Sequence, residues 1–477
     1  GQTGTPVIGN RAIYFGSENG RIYALYANVE SVGETPWPMS GANVRRTAQA
    51  SVVSDSESMS GASIAWQGTL DAHPADPGLN WAYYNSTDGI SYIYDGSTWH
   101  VLAMDGEDAE ISIEIADKLL ASDGAQMDRF GRAVATSGNY AIVGAPYESA
   151  NAYRSGAAYI FERAARGSWS QTAKLTVGVG DPALGDWFGY AVAISGKYAV
   201  VGAPYKPDMY HAESGAAYVF ERDQDGNWIQ EAELRAGDAQ AYAHFGNSVA
   251  ISGNSAIVGA KKQSANAYES GAAYVFERAA GGSWSEAAEL TAGDGARGDH
   301  FGCAVAISGD YAIVGADYDD DNGDTSGSAY VFERAGGSWG EKTKLTAGDG
   351  AEYDLFGGSV GISGDYAIVG AHFHDEGNDG SAYVNNGSAY VFERSAAGSW
   401  GQTAKLTAAD AAGLPKNFGI SVAISGSYAI VGTRDQAFYT DNGSAYVFER
   451  ATGGSWTETV KLTAGDGASG DYFGYSV

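Results

Sequence analysis

This sequence predicts an all-β fold, a β-propeller of four-stranded blades, and three observations predict it. First, Phe-Gly pairs begin at Phe130, Phe188, Phe245, Phe301, Phe356, Phe418 and Phe473, 55 to 62 residues apart, and six of them open the same pattern. A period of that length means one supersecondary unit per repeat, each unable to bury its apolar surface alone and so stacked on its neighbours. Second, each unit reads as four short strands, in one copy residues 189–195, 198–203, 216–222 and 228–235. Third, Ala158-Tyr159-Ile160-Phe161 is apolar at positions of both parities. Neither face of such a strand is built for water, as in sheets covered on both sides.

Taken in order, residues 1–50 hold a hairpin: Ala12-Ile-Tyr-Phe-Gly-Ser17, an Asn-Gly turn at 19–20, Arg21-Ile-Tyr-Ala-Leu25, and then a tail with Pro36-Trp37-Pro38-Met39. This resembles one blade of the quinoprotein-like propellers, and one hairpin is too little to form that cofactor's site. It reads as the end of a larger array or an independent edge piece. Residues 51–106 form a small aromatic-rich β-meander, with Asp-Gly turns at 88–89 and 95–96 and with Trp66, Trp81, Tyr83, Tyr84, Tyr92, Tyr94 and Trp99. Those rings suit a sugar platform, but a module this small needs large side chains simply to make a core. An acidic linker, 107–117, leads to the repeats at 118–477. Within each repeat the turns Ser137-Gly138-Asn139, Ser195-Gly196-Lys197 and Ser308-Gly309-Asp310 stand between two apolar runs and join strands one and two.

Six full units leave two orphan pieces, residues 118–124, which look like a fourth strand, and 473–477, which look like a first. They are expected to share one composite closing blade, making seven, with six blades as the alternative. The missing middle strands would come from the hairpin at 92–102, from more of a longer chain, or from a neighbouring molecule. Unpaired strand edges would favour association.

Formal charge is −30, with 58 acidic against 28 basic residues. That balance argues against a nucleic-acid partner, because affinity for phosphate backbones rests on Lys and Arg. It favours solubility and cation binding. Cys303 is the sole cysteine, so no internal disulfide is available, and its slot is filled elsewhere by Arg132, Tyr190, Asn247, Gly358, Ile420 and Tyr475. Such a tolerant position reads as packing. No run of 18 apolar residues predicts a membrane span, and the start, Gly-Gln-Thr, has no signal-like character, so any export signal is expected outside this stretch.

Where Phe188-Gly189 is followed by Gly202-Ala203-Pro204, and Phe130-Gly131 by Gly144-Ala145-Pro146, the repeats resemble the FG-GAP family of integrin α subunits and bacterial surface proteins. Other copies keep Gly-Ala without Pro, at 259–261, 315–317 and 370–372, and the sixth reads Gly432-Thr433-Arg434. The resemblance implies a propeller, usually seven-bladed, at the cell surface or outside the cell. It also implies calcium loops of the form Asp-x-Asp-x-Asp-Gly-x-x-Asp in some blades. Only the fourth repeat comes near, through Asp317, Asp319, Asp321 and Asp324, with Asn322 displacing the register. The alternatives are Ca2+ held by hard oxygen ligands or an acidic solvated turn. The corresponding loops at 147–155, 205–214 and 262–270 lack that set of carboxylates and read as metal-free. His372 and His374 form an alternate-residue pair for which a transition metal is conceivable, although such pairs on loops are usually unliganded.

Other motifs fall away on context. Gly357-Gly-Ser359-Val-Gly361 spells a nucleophile elbow but lies on the repeated first strand, with no strand-to-helix step after it. Arg297-Gly298-Asp299 spells an integrin ligand, yet it fills the acidic turn before Phe301. Asn85, Asn386 and Asn442 open glycosylation tripeptides. What varies most between repeats is the segment joining strands two and three, which in the fifth repeat duplicates Gly-Ser-Ala-Tyr-Val at 380–384 and 387–391. A constant scaffold with variable loops on one rim predicts a non-enzymatic protein, exported or at the cell surface, that mediates adhesion to or binding of a protein or glycan. The alternative is a structural subunit of an extracellular filament, with copies of itself as partner; a sugar hydrolase is a weaker third reading.

Overall fold

The computed structural model describes residues 12–17, 21–26, 65–70, 81–85, 90–94, 99–104, 115–149, 151–164, 168–177, 185–375, 386–410, 416–434, 443–467 and 471–477. The tail at 36–39, the linker at 105–114 and the first copy of the duplicated segment lie outside them. The chain forms two compact units, one of residues 1–25 with 115–477 and one of residues 26–114.

The smaller unit holds one sheet of β3 (Ala65–Leu70), β4 (Trp81–Asn85), β5 (Ile90–Tyr94) and β6 (Trp99–Met104), in that order. β3 and β4 pair in parallel, the later pairs antiparallel. The hairpin at 92–102 therefore stays within its own sheet. It does not supply strands to the repeats, and the module is not the simple meander its turns suggested, because β3 and β4 run in parallel.

The larger unit contains six antiparallel four-stranded sheets in strand order one to four, one for each full repeat. Here they are called blades 1 to 6. In blade 2 the strands are Ala191–Ser195, Tyr198–Ala203, Ala216–Arg222 and Trp228–Leu234. The first starts two residues later than the sequence suggests because Phe188-Gly189 is a turn, with Gly189 at φ +88°. Strand one of each blade packs on strand one of the next, so these strands surround the axis of a propeller. Six complete blades are present among the described residues, matching the six-bladed alternative. No helix among them is long and apolar enough to cross a membrane.

The core lies between blades rather than within them. One cluster joins Val200 and Val219 of blade 2 to Val258 and Tyr274 of blade 3, which explains why strands two and three are apolar on both faces. In blades 1 to 6 the Phe of Phe-Gly is buried against two strand-three rings, as Phe188 is against Tyr218 and Phe220 at 5.5 and 6.0 Å. The glycines set the spacing. A Cβ at Gly202 would lie 2.0 Å from the carbonyl oxygen of Gly246 in the next blade, and one at Gly215 would lie 2.0 Å from that of Phe245. Phe-Gly and Gly-Ala are thus two halves of one interface.

A further sheet of the larger unit contains β1 (Ala12–Ser17), β2 (Arg21–Tyr26) and β7 (Ile115–Leu119), in that order. β2 pairs with β7 through Ile22↔Leu119, Tyr23↔Lys118 and Ala24↔Asp117, then a shift, then Leu25↔Ile115. Strands three and four of blade 2 pair in the same way: Ala217↔Leu234, Tyr218↔Glu233, Val219↔Ala232, a shift, then Phe220↔Gln230. The hairpin at 12–26 is therefore no independent edge piece. The C-terminal residues 473–477 touch blade 6, where Ser421 Oγ donates to Gly474 O at 2.8 Å. They also touch blade 1, where Val134 N donates to Ser476 Oγ at 3.3 Å.

Candidate functional site

Antiparallel pairing places the turns before Phe-Gly and the loops joining strands two and three at the same end of every blade. This end differs from its opposite in three ways. Among the described residues, all fourteen non-glycine residues with positive φ lie there, including the residue preceding each Phe: Arg129, Trp187, His244, His300, Leu355, Asn417 and Tyr472, at φ 47–57°. Left-handed backbone in bulky residues is strained and concentrates at functional sites. The strain is held by hydrogen bonds such as Phe188 N to Ser155 O (3.1 Å) and Tyr190 N to Trp187 O (3.1 Å). Second, every large exposed hydrophobic side chain among the described residues except Ile229 is there, including Met209 (86% exposed), Tyr210, Met127, Tyr153 and Tyr268.

Third, rings and cations interlock across successive blades. Trp187 lies 4.9 Å from Tyr147 and 4.1 Å from Tyr205, and Tyr205 lies 4.8 Å from His244. Arg129 and Arg154 cover Tyr147 at 4.2 and 4.3 Å. Arg132 sits 4.5 Å from Tyr190 and 5.0 Å from Tyr475, and Arg434 is 4.8 Å from Tyr472. Cation–π contacts are worth roughly 0.5–2 kcal/mol, more when desolvated. With Lys261 and Lys262, six cations gather here on a chain of charge −30. The histidines feel them. Burial, then Lys261, Lys262 and His244, depress His300 to about 4. Burial and the same two lysines also lower His244, against a 3.3 Å contact with Glu213. Both imidazoles are pushed towards their neutral form, and the cations stand among the rings beside carboxylates such as Glu213 and Asp317.

Of the four aspartates in the candidate calcium loop, the structure brings together two. Asp319 is buried; it accepts hydrogen bonds from Ser328 Oγ (3.0 Å), Tyr330 Oη (2.7 Å) and Lys344 Nζ (2.9 Å). Asp321 shares that lysine, as does Asp294 from the preceding turn at 2.8 Å. One oxygen from each of Asp294, Asp319 and Asp321 falls within 4.8 Å of the others. Asp317 lies instead 3.9 Å from His300, with burial pushing its carboxyl up, and Asp324 accepts the hydroxyl of Tyr353 at 2.6 Å. An ammonium group thus stands where a cation would be coordinated.

His374 donates from Nδ1 to Asp354 (2.7 Å) and accepts from Lys405 at Nε2 (3.0 Å), so both ring nitrogens are engaged. Cys303 is buried and donates to Gly357 O at 3.4 Å; burial, then Asp317, push its thiol well up. Ser359 donates to Gly419 O of the next blade at 2.8 Å. Asp299 of the Arg-Gly-Asp string is buried, accepting from Ala296 N in its own turn.

Sequence reasoning missed the slot before Phe-Gly. The signal was there: one freely varying position beside two constant letters, filled by Arg129, Trp187, His244, His300 and Tyr472.

The FG-GAP repeat family matches residues 116–161, 169–220, 228–276, 284–332, 339–392, 400–448 and 456–477. No curated protein matches the chain. Among solved structures, a Lactobacillus plantarum protein is similar at 14% identity and TM-score 0.46, over 81% of this chain and 96% of that one. A chain of the mitotic checkpoint complex is similar at 14% identity and TM-score 0.40, over 69% of this chain and 78% of that one.

Proposed function

The chain belongs to the FG-GAP repeat family, and from that premise we propose a non-enzymatic binding ring, exported or held at a cell surface, that engages a protein or glycan partner. One observation carries this reading: exposed apolar side chains, strained backbone and stacked cations share one end of the blades. Exposed apolar surface concentrated this way marks interaction sites, and the cations select partners bearing carboxylate or sulfate groups. The surface setting rests on the resemblance to surface-protein members of the family. A non-catalytic role is supported by Cys303, whose buried, proton-holding thiol beside His300 and Asp317 is a poor nucleophile.

In this reading the ring closes with a seventh, composite blade. Residues 473–477 supply strand one, β1 and β2 the middle strands, and β7 strand four. The support is the shared register shift of β2–β7 and an ion pair between Lys118 and Asp466, the counterpart of Lys174–Asp123 in blade 1. Calcium at Asp319 and Asp321 belongs to the proposal as a competitor of Lys344, not as a resident ion.

Binding to immobilised sulfated glycan and to a polyglutamate peptide tests the reading. Trp187→Ala and Arg129→Ala should each weaken binding at least tenfold, while Asp310→Ala at the opposite end leaves it unchanged. Binding that ignores all three variants, or no binding to either probe, would count against it. The exposed Met209 and Tyr210 favour a second reading, self-association through the same face. Regular filaments in electron micrographs of the purified chain would select it.

A further inference from the structure

Between successive blades runs a repeated polar knot. In five places an aspartate of the turn after strand four accepts the strand-three tyrosine hydroxyl of the next blade; in four of them Asp123 accepts Tyr159 (2.9 Å), Asp294 Tyr330 (2.8 Å), Asp349 Tyr390 (2.8 Å) and Asp410 Tyr446 (2.8 Å). The same carboxylate pairs with a strand-four lysine: Lys174, Lys344, Lys405 and Lys461, at 2.6 to 2.8 Å. A buried residue four positions after the Gly of Gly-Ala then touches that ammonium. Glu148 lies 3.3 Å from Lys174, Asp319 2.9 Å from Lys344, and His374 3.0 Å from Lys405.

Blade 2 reverses the pair. Strand four carries Glu233, and the buried position carries Lys206, 3.1 Å from Asp186. Blade 3 has neither lysine. Tyr274 still donates to Asp238 at 2.7 Å, but strand four carries Glu289 and the buried position is Gln263. Gln263 is fully buried; Nε2 donates to Asp238 at its carbonyl oxygen (3.2 Å) and at Oδ2 (2.7 Å), and Oε1 has no partner. A buried amide oxygen left unpaired forfeits its hydration and is rare in native folds. The partner of Gln263, Asp238, meets no strand-four lysine here, because Glu289, paired in register with Tyr274, fills the position that Lys174, Lys344, Lys405 and Lys461 hold in four other blades.

We propose that this knot is a site for a hard divalent cation, of the calcium class, which takes the place that lysine holds in the other blades. Asp238 and Glu289 supply charge, Gln263 Oε1 supplies a neutral oxygen, and water completes the shell, because both carboxylates are exposed. All donors are oxygen, as such ions require. The site draws on two repeats, so reading each loop by itself could not reveal it.

The test is calcium titration of the whole chain, by calorimetry and by melting with calcium or with chelator. The native chain should bind calcium and melt higher in its presence. Glu289→Lys, which rebuilds the knot of the other blades, should remove that binding event, abolish its share of the calcium-dependent rise, and melt at or above the native chain in chelator. Glu289→Gln and Gln263→Leu should weaken binding at least tenfold, whereas Asp321→Asn in blade 4 should leave it in place. A calcium response unchanged in Glu289→Lys and Gln263→Leu, or none in the native chain at millimolar calcium, overturns the proposal.

Discussion

A methyl group added at Gly315 would sit 1.9 Å from the carbonyl oxygen of Gly357 in the next blade. Backbone stands on both sides, so neither can yield. Gly315→Ala should destabilise the chain by about 1–3 kcal/mol, read as a lower urea midpoint. Gly401→Ala, where a Cβ meets nothing within 4 Å, should change stability by less than about 0.5 kcal/mol. The glycine pattern was legible in the sequence because every repeat restates it. The slot before Phe showed as a varying position, but what Trp187 and His300 do in it did not, since that depends on which side chains the neighbouring blades bring to meet them.

Single knots have consequences of their own. Lys344 holds Asp294, Asp319 and Asp321 together, and Asp319 is only 2% exposed. Removing one partner from a buried ion pair costs about 3–5 kcal/mol. Lys344→Met should therefore lower the melting temperature markedly, and calcium should restore part of the loss by joining the three carboxylates. A loss that calcium does not touch would show that they cannot close around an ion. The four aspartates of the candidate loop were visible as a string of letters. Which of them converge was not, because Asp294 arrives from the preceding repeat and Lys344 from a strand 23 residues beyond Asp321 and 25 beyond Asp319.

For the molecule as a whole, acid should act first through the histidines. Burial lowers His300 and His372 from 6.5 to about 4, so the unfolded chain takes up their protons before the folded one does. Stability then falls as pH drops from about 6.5 towards 4. Glu289, raised by burial and Asp238, works in the opposite direction. Asp410 is held low by Lys416, Lys461 and Tyr446 against the pull of burial, and its contribution is lost only at more acid pH. Urea midpoints across this range should decline, and less steeply in His300→Phe. A flat profile would remove the histidines from the account. Deleting residues 1–26 tests the closing blade, and should lower the melting temperature and expose apolar surface to a reporter dye. By itself the sequence determined the repeat, its four strands, the buried Phe and Tyr positions and the inter-blade glycines, since each depends on local pattern renewed at every period. Only the tertiary structure decided that β2 pairs with β7, which face gathers the rings and cations, and which carboxylates share a lysine. Those are contacts between residues dozens of positions apart, and no local spacing encodes them.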